Sequence, residues 1–387
     1  MLIRPENPVI VVGAGLGGLT LALALRKLDL PCVVLERSPG LSEIGAGITL
    51  WENALRVLES VGVLDRVRAI AHPTSTGVIG TSTGKVLVRA SVEGASLGRL
   101  WAAHRAELQE ALFGALPSGM VRFGVTCERF EEEADGVRLR LSDGSEVHAP
   151  LLVGADGIHS RVRQELFGAE PLRYAGYAAY RGICRRPEGY AGPFGEFFGR
   201  GDRFGVVELP RETLYWYAVV SQPVGTKRAD DPREFLRERF AGYAFDVPRV
   251  LAATQNDAIL YHELFDRPPA RALHRGRVAL IGDAAHPTTP NMGQGAAMAM
   301  ESALVLARAV RELPSLEGAL RAYQALRGPR TARVTETSRK VGRIAQLESA
   351  PLRFLRDLAF RALPERARRA QLEWLASYDA SSVELTS

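Results

Sequence analysis

Lysine is nearly missing from this chain: four of its 49 basic residues are lysine, and the rest are arginines spread along the whole length. The net charge of +5 is therefore diffuse, and no basic cluster is interleaved with aromatics as base-stacking platforms would require, which argues against nucleic-acid binding. Cysteine is as scarce. Cys32, Cys127 and Cys184 lie far apart with no C-x-x-C, so neither a disulfide framework nor a zinc site is indicated, no metal is expected, and a reducing compartment fits best. Long hydrophobic runs are also lacking, since no apolar stretch approaches the roughly 20 residues that span a bilayer. The opening "MLIRPENPVIVVGAG" enters an apolar strand without a charged leader or cleavage site, so a soluble, cytoplasmic protein is expected.

What is present is an ordinary globular composition, 46% apolar and 24% charged, in 387 residues. That length exceeds what one core usually supports and predicts two domains, or one with a large insertion. Val9 to Val12 is a β-branched run ending in glycines and leading into "LTLALALRKLDL"; Cys32 to Leu35 follows and ends at Glu36. This strand, helix and strand predict parallel pairing. The text turns helical from Trp51 through "NALRVLESVGVLDRV", gives a hairpin at "TGVIGTSTGKVLVRAS", and is helical again at "RAELQEALFGAL". Asp-Gly turns near Gly136 and Gly144 divide a small meander. Residues from about Arg173 to Leu264 hold most of the tyrosines and strand runs such as "RFGVVEL" and "LYWYAVV"; a strand returns at "GRVALIGDAAH" and the remainder is helical. The pattern reads as an α/β domain interrupted by a β-rich insertion, without internal repeats.

Three glycine sites carry the chemistry. Gly13, Gly15 and Gly18 form G-x-G-x-x-G between a strand and a helix, where glycines permit the turn, admit a pyrophosphate and allow close packing. The helix start then offers unpaired N–H groups to phosphates. Glu36, 18 residues after Gly18, can accept hydrogen bonds from an adenosine ribose, which favours FAD or NAD over NADP at this site. "GADGIHSRVR", Gly154 to Arg163, taken alone is a strand ending in an Asp-Gly turn. In "GDAAHPTTPNMGQG", Gly282 to Gly295, Asp283 follows a strand, where it can bind a sugar-like hydroxyl chain. Gly293 and Gly295 there leave main chain bare for a flat ring.

These three segments, in this order and spacing, resemble the single-component FAD-dependent monooxygenases of the para-hydroxybenzoate hydroxylase fold. The run "GDAAHPTTPNMGQGAAMAMESA" is most similar to the branch of salicylate hydroxylases, FAD-dependent urate hydroxylases and zeaxanthin epoxidases. The resemblance covers the whole chain. It implies a Rossmann-like FAD-binding domain (1–72, 98–172 and 272–340), a β-rich substrate domain (73–97 and 173–271) and C-terminal helices (341–387). It also implies that FAD lies along Gly13, Gly15, Leu16, Gly17 and Gly18, with Glu36 on the adenosine ribose and Arg37 and Val125 beside the adenine. Arg105 would reach the phosphates or ribityl chain, and Asp283 the ribityl hydroxyls. Asp156 would serve FAD and the transient nicotinamide cofactor, while Pro290, Gly293, Gln294 and Gly295 would flank the isoalloxazine, and Gly47 and Ala296 would also bind the cofactor. Ser302 departs from the branch, which usually has an acid after Glu301, and puts a local salt bridge in doubt.

The activity so implied is reduction of FAD by NADH or NADPH, addition of O2 to give a C4a-hydroperoxide, and oxygen transfer to an aromatic or heteroaromatic ring. A single G-x-G-x-x-G fits a nicotinamide that only visits. Arg203, where urate-hydroxylating relatives hold their substrate, and Tyr217 are the catalytic candidates; Arg181, Tyr215 and Pro290 join them in binding substrate. His286 is read as structural. The tail "PLRFLRDLAFRALPERARRAQLEWL" can form basic amphipathic helices; packing of its apolar face on the FAD-binding domain is favoured over contact with an anionic membrane. Open alternatives are an epoxidase of a conjugated alkene or quinone-like ring, a flavin reductase or dehydrogenase without oxygen insertion, and a flavoprotein acting as a binding module. The chain would be a monomer or homodimer.

Overall fold

The computed structural model describes residues 3–41, 46–91 and 98–386. Val9–Val12 is a strand with no residue more than 4% exposed, because its continuous apolar run suits a position covered on both faces. It pairs in parallel with Cys32–Glu36 on one side and Leu152–Gly154 on the other, as the strand-helix-strand pattern predicts. The completed six-stranded sheet runs His274–Arg275, Val278–Leu280, Leu152–Gly154, Val9–Val12, Cys32–Glu36, Val121–Phe123. Leu16–Lys27, the helix after the glycine loop, is buried over its first ten residues and packs on the helix Gly295–Glu312. Gly17 makes that approach possible: a Cβ there would sit 3.2 Å from the Ala299 Cβ.

The second layer is a seven-stranded sheet in the order Leu260–Asp266, Arg173–Arg185, Thr213–Ser221, Asp202–Leu209, Gly195–Phe198, Thr76–Thr81, Val86–Ser91. The predicted hairpin at 76–91 thus joins a sheet built mostly from residues 173–266, through parallel pairing with Gly195–Phe198. Period-2 alternation divides the faces. Phe204, Val206, Trp216, Ala218 and Val220 bury against the helices Pro232–Arg239 and Val247–Ala252. Arg203, Val207, Tyr215, Tyr217 and Val219, one residue out of step, look the opposite way, into a cavity. The meander is a separate three-stranded sheet, Cys127–Glu132, Val137–Leu141 and Glu146–Ala149. The α/β architecture with a β-rich insertion and C-terminal helices is as expected.

Two features differ from the sequence reading. The helix expected from Trp51 starts at Glu52, Trp51 ending a strand, and breaks at Gly62, whose φ of +80° is left-handed, into Glu52–Ser60 and Leu64–Arg68. A three-stranded sheet of Gly47–Trp51, Leu100–His104 and Ala71–Pro73 was not anticipated, because strands of three to five residues give too short a pattern to register.

The C-terminal helices are Leu316–Ala345, Ala350–Ala362 and Glu365–Ala376. Leu375 of the last packs on Met298 and Val334, on the cofactor side, as favoured. The expectation fails for Ala350–Ala362, which lies on the seven-stranded sheet instead. Its Arg356 sits 4.7 Å over the Phe198 ring, and Phe360 meets the same ring at 5.8 Å. Leu352, Phe354, Leu355 and Leu358 on its outer side stay exposed. Among the described residues no helix is long and apolar enough to cross a membrane.

Candidate active site

The glycine loop is built as its spacing demands. Gly13 has φ +108° and a Cβ there would strike the Ala155 carbonyl, while a Cβ on Gly18 would strike the carbonyl of Gly13. At Gly15 a Cβ would meet nothing within 4 Å, so only there is space left open for a ligand. Gly15 is also the N-cap of Leu16–Lys27 and offers no side chain to the first turn, which leaves its N–H groups free. The carboxylate of Glu36 steadies the loop, accepting from Ala14 N at 2.8 Å and Ser38 N at 2.9 Å, with lone pairs remaining for a ribose. Gln109 was missed by the sequence reading although it stands one helical turn after Arg105. Its amide donates to Ala14 O at 2.8 Å while Arg105 turns into the cavity.

The loop Gly282–Gly295 makes a second such cradle. Pro290–Met292 is a turn of 3-10 helix closed by Gly293 at φ +61°, where a Cβ would come 2.9 Å from Thr49 Oγ1. The helix Gly295–Glu312 follows with Gln294 as N-cap, no side-chain cap and no acid in its first turn. Two bare, positively polarised helix starts therefore face one cavity. Asp283 and Arg105 lie between them, deep in the protein yet open to the cavity. Burial raises the Asp283 pKa and lowers that of Arg105, and each opposes the other's shift by its charge.

The cavity measures about 1100 Å³, more than the roughly 300–1000 Å³ of a single small-molecule site. Gly15, Leu16, Gly17, Gly47, Arg105, Asp283, Pro290, Gly293, Gly295 and Ala296 line one end, and Arg181, Arg203, Tyr215 and Tyr217 line its roof. Gly13, Gly18, Glu36, Arg37, Val125, Asp156 and Gln294 do not line it. The Val125 N–H is bonded to Glu36 O at 3.0 Å, so only its carbonyl is left for an adenine, and Arg37 is exposed beside it. Asp156 caps the helix Arg161–Phe167 through Oδ2, accepting from Arg161 N at 2.8 Å and Val162 N at 3.2 Å, while its buried Oδ1 has no partner. Gln294 is 1% exposed and accepts from Asn53 Nδ2 at 2.9 Å, behind the loop. Gly47 is covered rather than bare, since Tyr215 lies where its side chain would be.

Arg203, 2% exposed, is held from two sides by residues the sequence reading did not single out. Its Nε lies 3.2 Å from Glu196 Oε1, and its Nη2 donates to Asn291 Oδ1. Asn291 in turn donates to Tyr177 Oη at 2.9 Å and to Ser338 O at 2.8 Å, so the glycine-rich loop braces the sheet. Tyr217 Oη donates to Glu196 Oε1 at 3.2 Å; burial first, then Glu196, pushes its pKa well up and keeps the phenol protonated. No alternation signal marks Glu196 as a cavity residue. The rim between Leu316–Ala345 and Glu365–Ala376 is basic, with Arg333, Lys340, Arg368 and Arg369.

Behind the loop, His286 Nε2 meets Ser302 Oγ at 3.1 Å, and burial, with Arg327 nearby, lowers its pKa to about 3. A neutral imidazole outside the cavity suits the structural role. The doubt raised by Ser302 is removed: Glu301 pairs with Arg327 at 2.8 Å and Arg330 at 2.7 Å, and Ser302 Oγ accepts from Arg327 Nε at 3.1 Å.

A family model described as FAD binding domain matches residues 6–338. The chain belongs to the FAD-binding monooxygenase family. It is 37% identical to the aurachin C monooxygenase/isomerase of Stigmatella aurantiaca over 92% of this chain and 94% of that one. To the FAD-dependent urate hydroxylase of Klebsiella pneumoniae it is 34% identical, over 86% and 88% of the two chains. The crystal structure of Klebsiella pneumoniae HpxO with FAD and uric acid superposes with a TM-score of 0.91 at 30% identity, covering 97% of this chain and 98% of that one. The protein is an FAD-dependent monooxygenase of aromatic hydroxylase type, in a family that uses NAD(P)H and O2. FAD fits the residues present, because the open Cα of Gly15, the two uncapped helix starts and the Asp283 and Arg105 pair offer each part of it a complementary group.

Proposed function

We propose that this monooxygenase is driven by NADH or NADPH and adds one oxygen atom of O2 to an aromatic or heteroaromatic small molecule held against the seven-stranded sheet. The observation that carries the reading is continuity: the glycine-lined cofactor end and the face bearing Arg203 and Tyr217 are one cavity. Bound FAD supplies the redox chemistry and the activation of oxygen. The chain's own residues bind, orient and shield. Residues 1–72, 98–172 and 272–340 serve the cofactor, and 73–97 and 173–271 the substrate, of which 92–97 lie outside the described residues.

At the cofactor, the free N–H groups after Gly15 take the pyrophosphate, Glu36 the adenosine ribose, and Asp283 the ribityl hydroxyls, with Arg105 balancing charge. Arg37 and Val125 border the adenine, and Asp156 holds the turn that lets Ala155 and Gly157 reach the cavity. The start of Gly295–Glu312 stabilises negative charge on the adjacent ring by roughly 0.3–2 kcal/mol. Pro290 and Gly293 set the ring against main chain. Arg203 donates to a substrate carbonyl or oxyanion, and Tyr217, kept protonated, fixes Glu196 and the ring plane; Arg181 and Tyr215 complete the wall. The basic rim draws in the anionic nicotinamide cofactor.

The test is oxygen-18 labelling. Purified protein with FAD, given a phenol, quinolone or purine that stimulates NAD(P)H oxidation, is expected to yield product carrying one labelled atom from O2. Stimulated oxidation that releases only peroxide across the screen would overturn the hydroxylase reading.

A further inference from the structure

The helix Ala350–Ala362 is turned inside out. Its charged side chains face the protein: Arg356 is buried, pairs with Asp357 at 2.8 Å, donates to Ala345 O at 3.3 Å and lies 4.7 Å from the Phe198 ring. Phe360 is the one large apolar residue of the helix that turns inward, into the cluster of Ile79, Val88 and Phe198. On the opposite side Leu352, Leu355 and Ala359 recur at three- and four-residue spacing, with Phe354 and Leu358 beside them. The four large ones are between 49% and 68% exposed. Among the described residues two other large apolar side chains are exposed, Val224 and Ile344, and Ile344 adjoins Ala345.

Charge decides what can cover this face. Residues 340–370 hold eight basic and three acidic side chains, an excess of five that equals the net charge of the whole chain, so the charge is less diffuse than the even spread of arginines suggests. Arg343, Arg361 and Arg366 in this stretch are exposed, and no carboxylate pairs with them among the described residues. A second copy of the chain, docked by the same face about a two-fold axis, would set this basic border against its own image. An anionic bilayer answers both features, since acyl chains take the apolar side chains and lipid phosphates take the arginines.

We infer that the outer face of Ala350–Ala362 is a docking surface for an anionic lipid bilayer. The helix, 13 residues long, is too short to span and lies in the plane of the headgroups, with Phe354, Leu355 and Leu358 dipping into the acyl region and Arg343, Arg361 and Arg366 on the phosphates. Leu363 and Arg368, which follow the helix, line the mouth of the cavity, so docking brings that mouth to the membrane surface. The inference does not depend on which ring the enzyme oxidises.

Full-length FAD-loaded protein is floated with vesicles of equal parts phosphatidylglycerol and phosphatidylcholine, and with vesicles of phosphatidylcholine alone. Co-flotation is expected with the anionic vesicles, falling steeply as salt rises, and little with the neutral ones. Phe354→Ser combined with Leu355→Ser should weaken partitioning on the order of 30-fold, and Arg361→Gln and Arg366→Gln about fivefold each. All four side chains are exposed, so FAD content and thermal unfolding should stay as in wild type. No co-flotation, or flotation that these variants leave at the wild-type level, would overturn the inference. So would a wild-type dimer in sedimentation that the paired serine variant turns into a monomer while flotation is absent, a result that gives the face to a second copy.

Discussion

Glu301 and Arg327 form an ion pair at 2.8 Å with both side chains shut off from solvent. Burial would raise the Glu301 pKa, yet Arg327 and Arg330 outweigh it and hold the carboxylate below its ordinary range. Asn53 Nδ2 adds a hydrogen bond at 2.6 Å, tying this pair to the helix Glu52–Ser60. The network lies under the start of the Gly295 helix and fixes its position without touching the cavity.

Glu301→Gln leaves two buried guanidiniums facing a neutral amide and is expected to cost about 3–5 kcal/mol of stability. Urea denaturation midpoints check it. Ser302→Ala leaves the buried Arg327 Nε and His286 Nε2 without their shared partner and should cost about 1–3 kcal/mol.

His286 has a pKa of about 3 in the folded protein against an ordinary 6.5. The unfolded chain therefore binds the proton more readily between those values, and stability falls as pH drops from 6.5 towards 3. The expected slope from this one group is about 1.4 kcal/mol per pH unit within that window. His286→Asn should flatten the stability profile there and leave turnover near neutral pH within a few-fold. Abolished turnover with FAD still bound would instead make His286 part of the chemistry.

Gly293→Ala must place a Cβ at φ +61° within 2.9 Å of Thr49 Oγ1. A loss of about 1–2 kcal/mol in thermal unfolding is expected, together with a lower FAD content, because the turn that presents main chain to the ring is displaced.

Asp283→Ala leaves Arg105 without its opposing charge and removes the acceptor proposed for the ribityl chain. FAD affinity should fall about 10- to 100-fold, read by recovery of free-flavin fluorescence on dilution. Retention equal to wild type would place the ribityl chain elsewhere.

Arg203→Ala is expected to weaken substrate stimulation of NAD(P)H oxidation by 10-fold or more, about 1.4 kcal/mol, with normal FAD content. Unchanged stimulation would remove Arg203 from the substrate site.

Much of the cofactor end was legible in the sequence, because its demands are local. Gly13, at φ +108°, and Gly18, whose Cβ would strike the Gly13 carbonyl, answer to the geometry of the turn itself, Gly15 keeps space open beside them, and Glu36 ends a strand whose length the text displays. Asp283, Gly293 and Gly295 are likewise a short loop between a strand and a helix. The short strands around Gly47 escaped notice since their pairing is entirely between distant segments.

The sequence by itself determined the α/β layout and the glycine cradles, since turn geometry and hydrophobic periodicity act over a few residues. Only tertiary structure decided what Arg203 faces. Glu196, Asn291 and Tyr217 come from a neighbouring strand, a loop 88 residues away and a third strand, and they converge through sheet register and long-range packing. The same is true of the apolar cluster in which residues 79, 88, 198 and 360 meet. Contacts of that span leave no periodic trace in the chain, because each residue satisfies its own local pattern equally well on either face of a fold not yet closed.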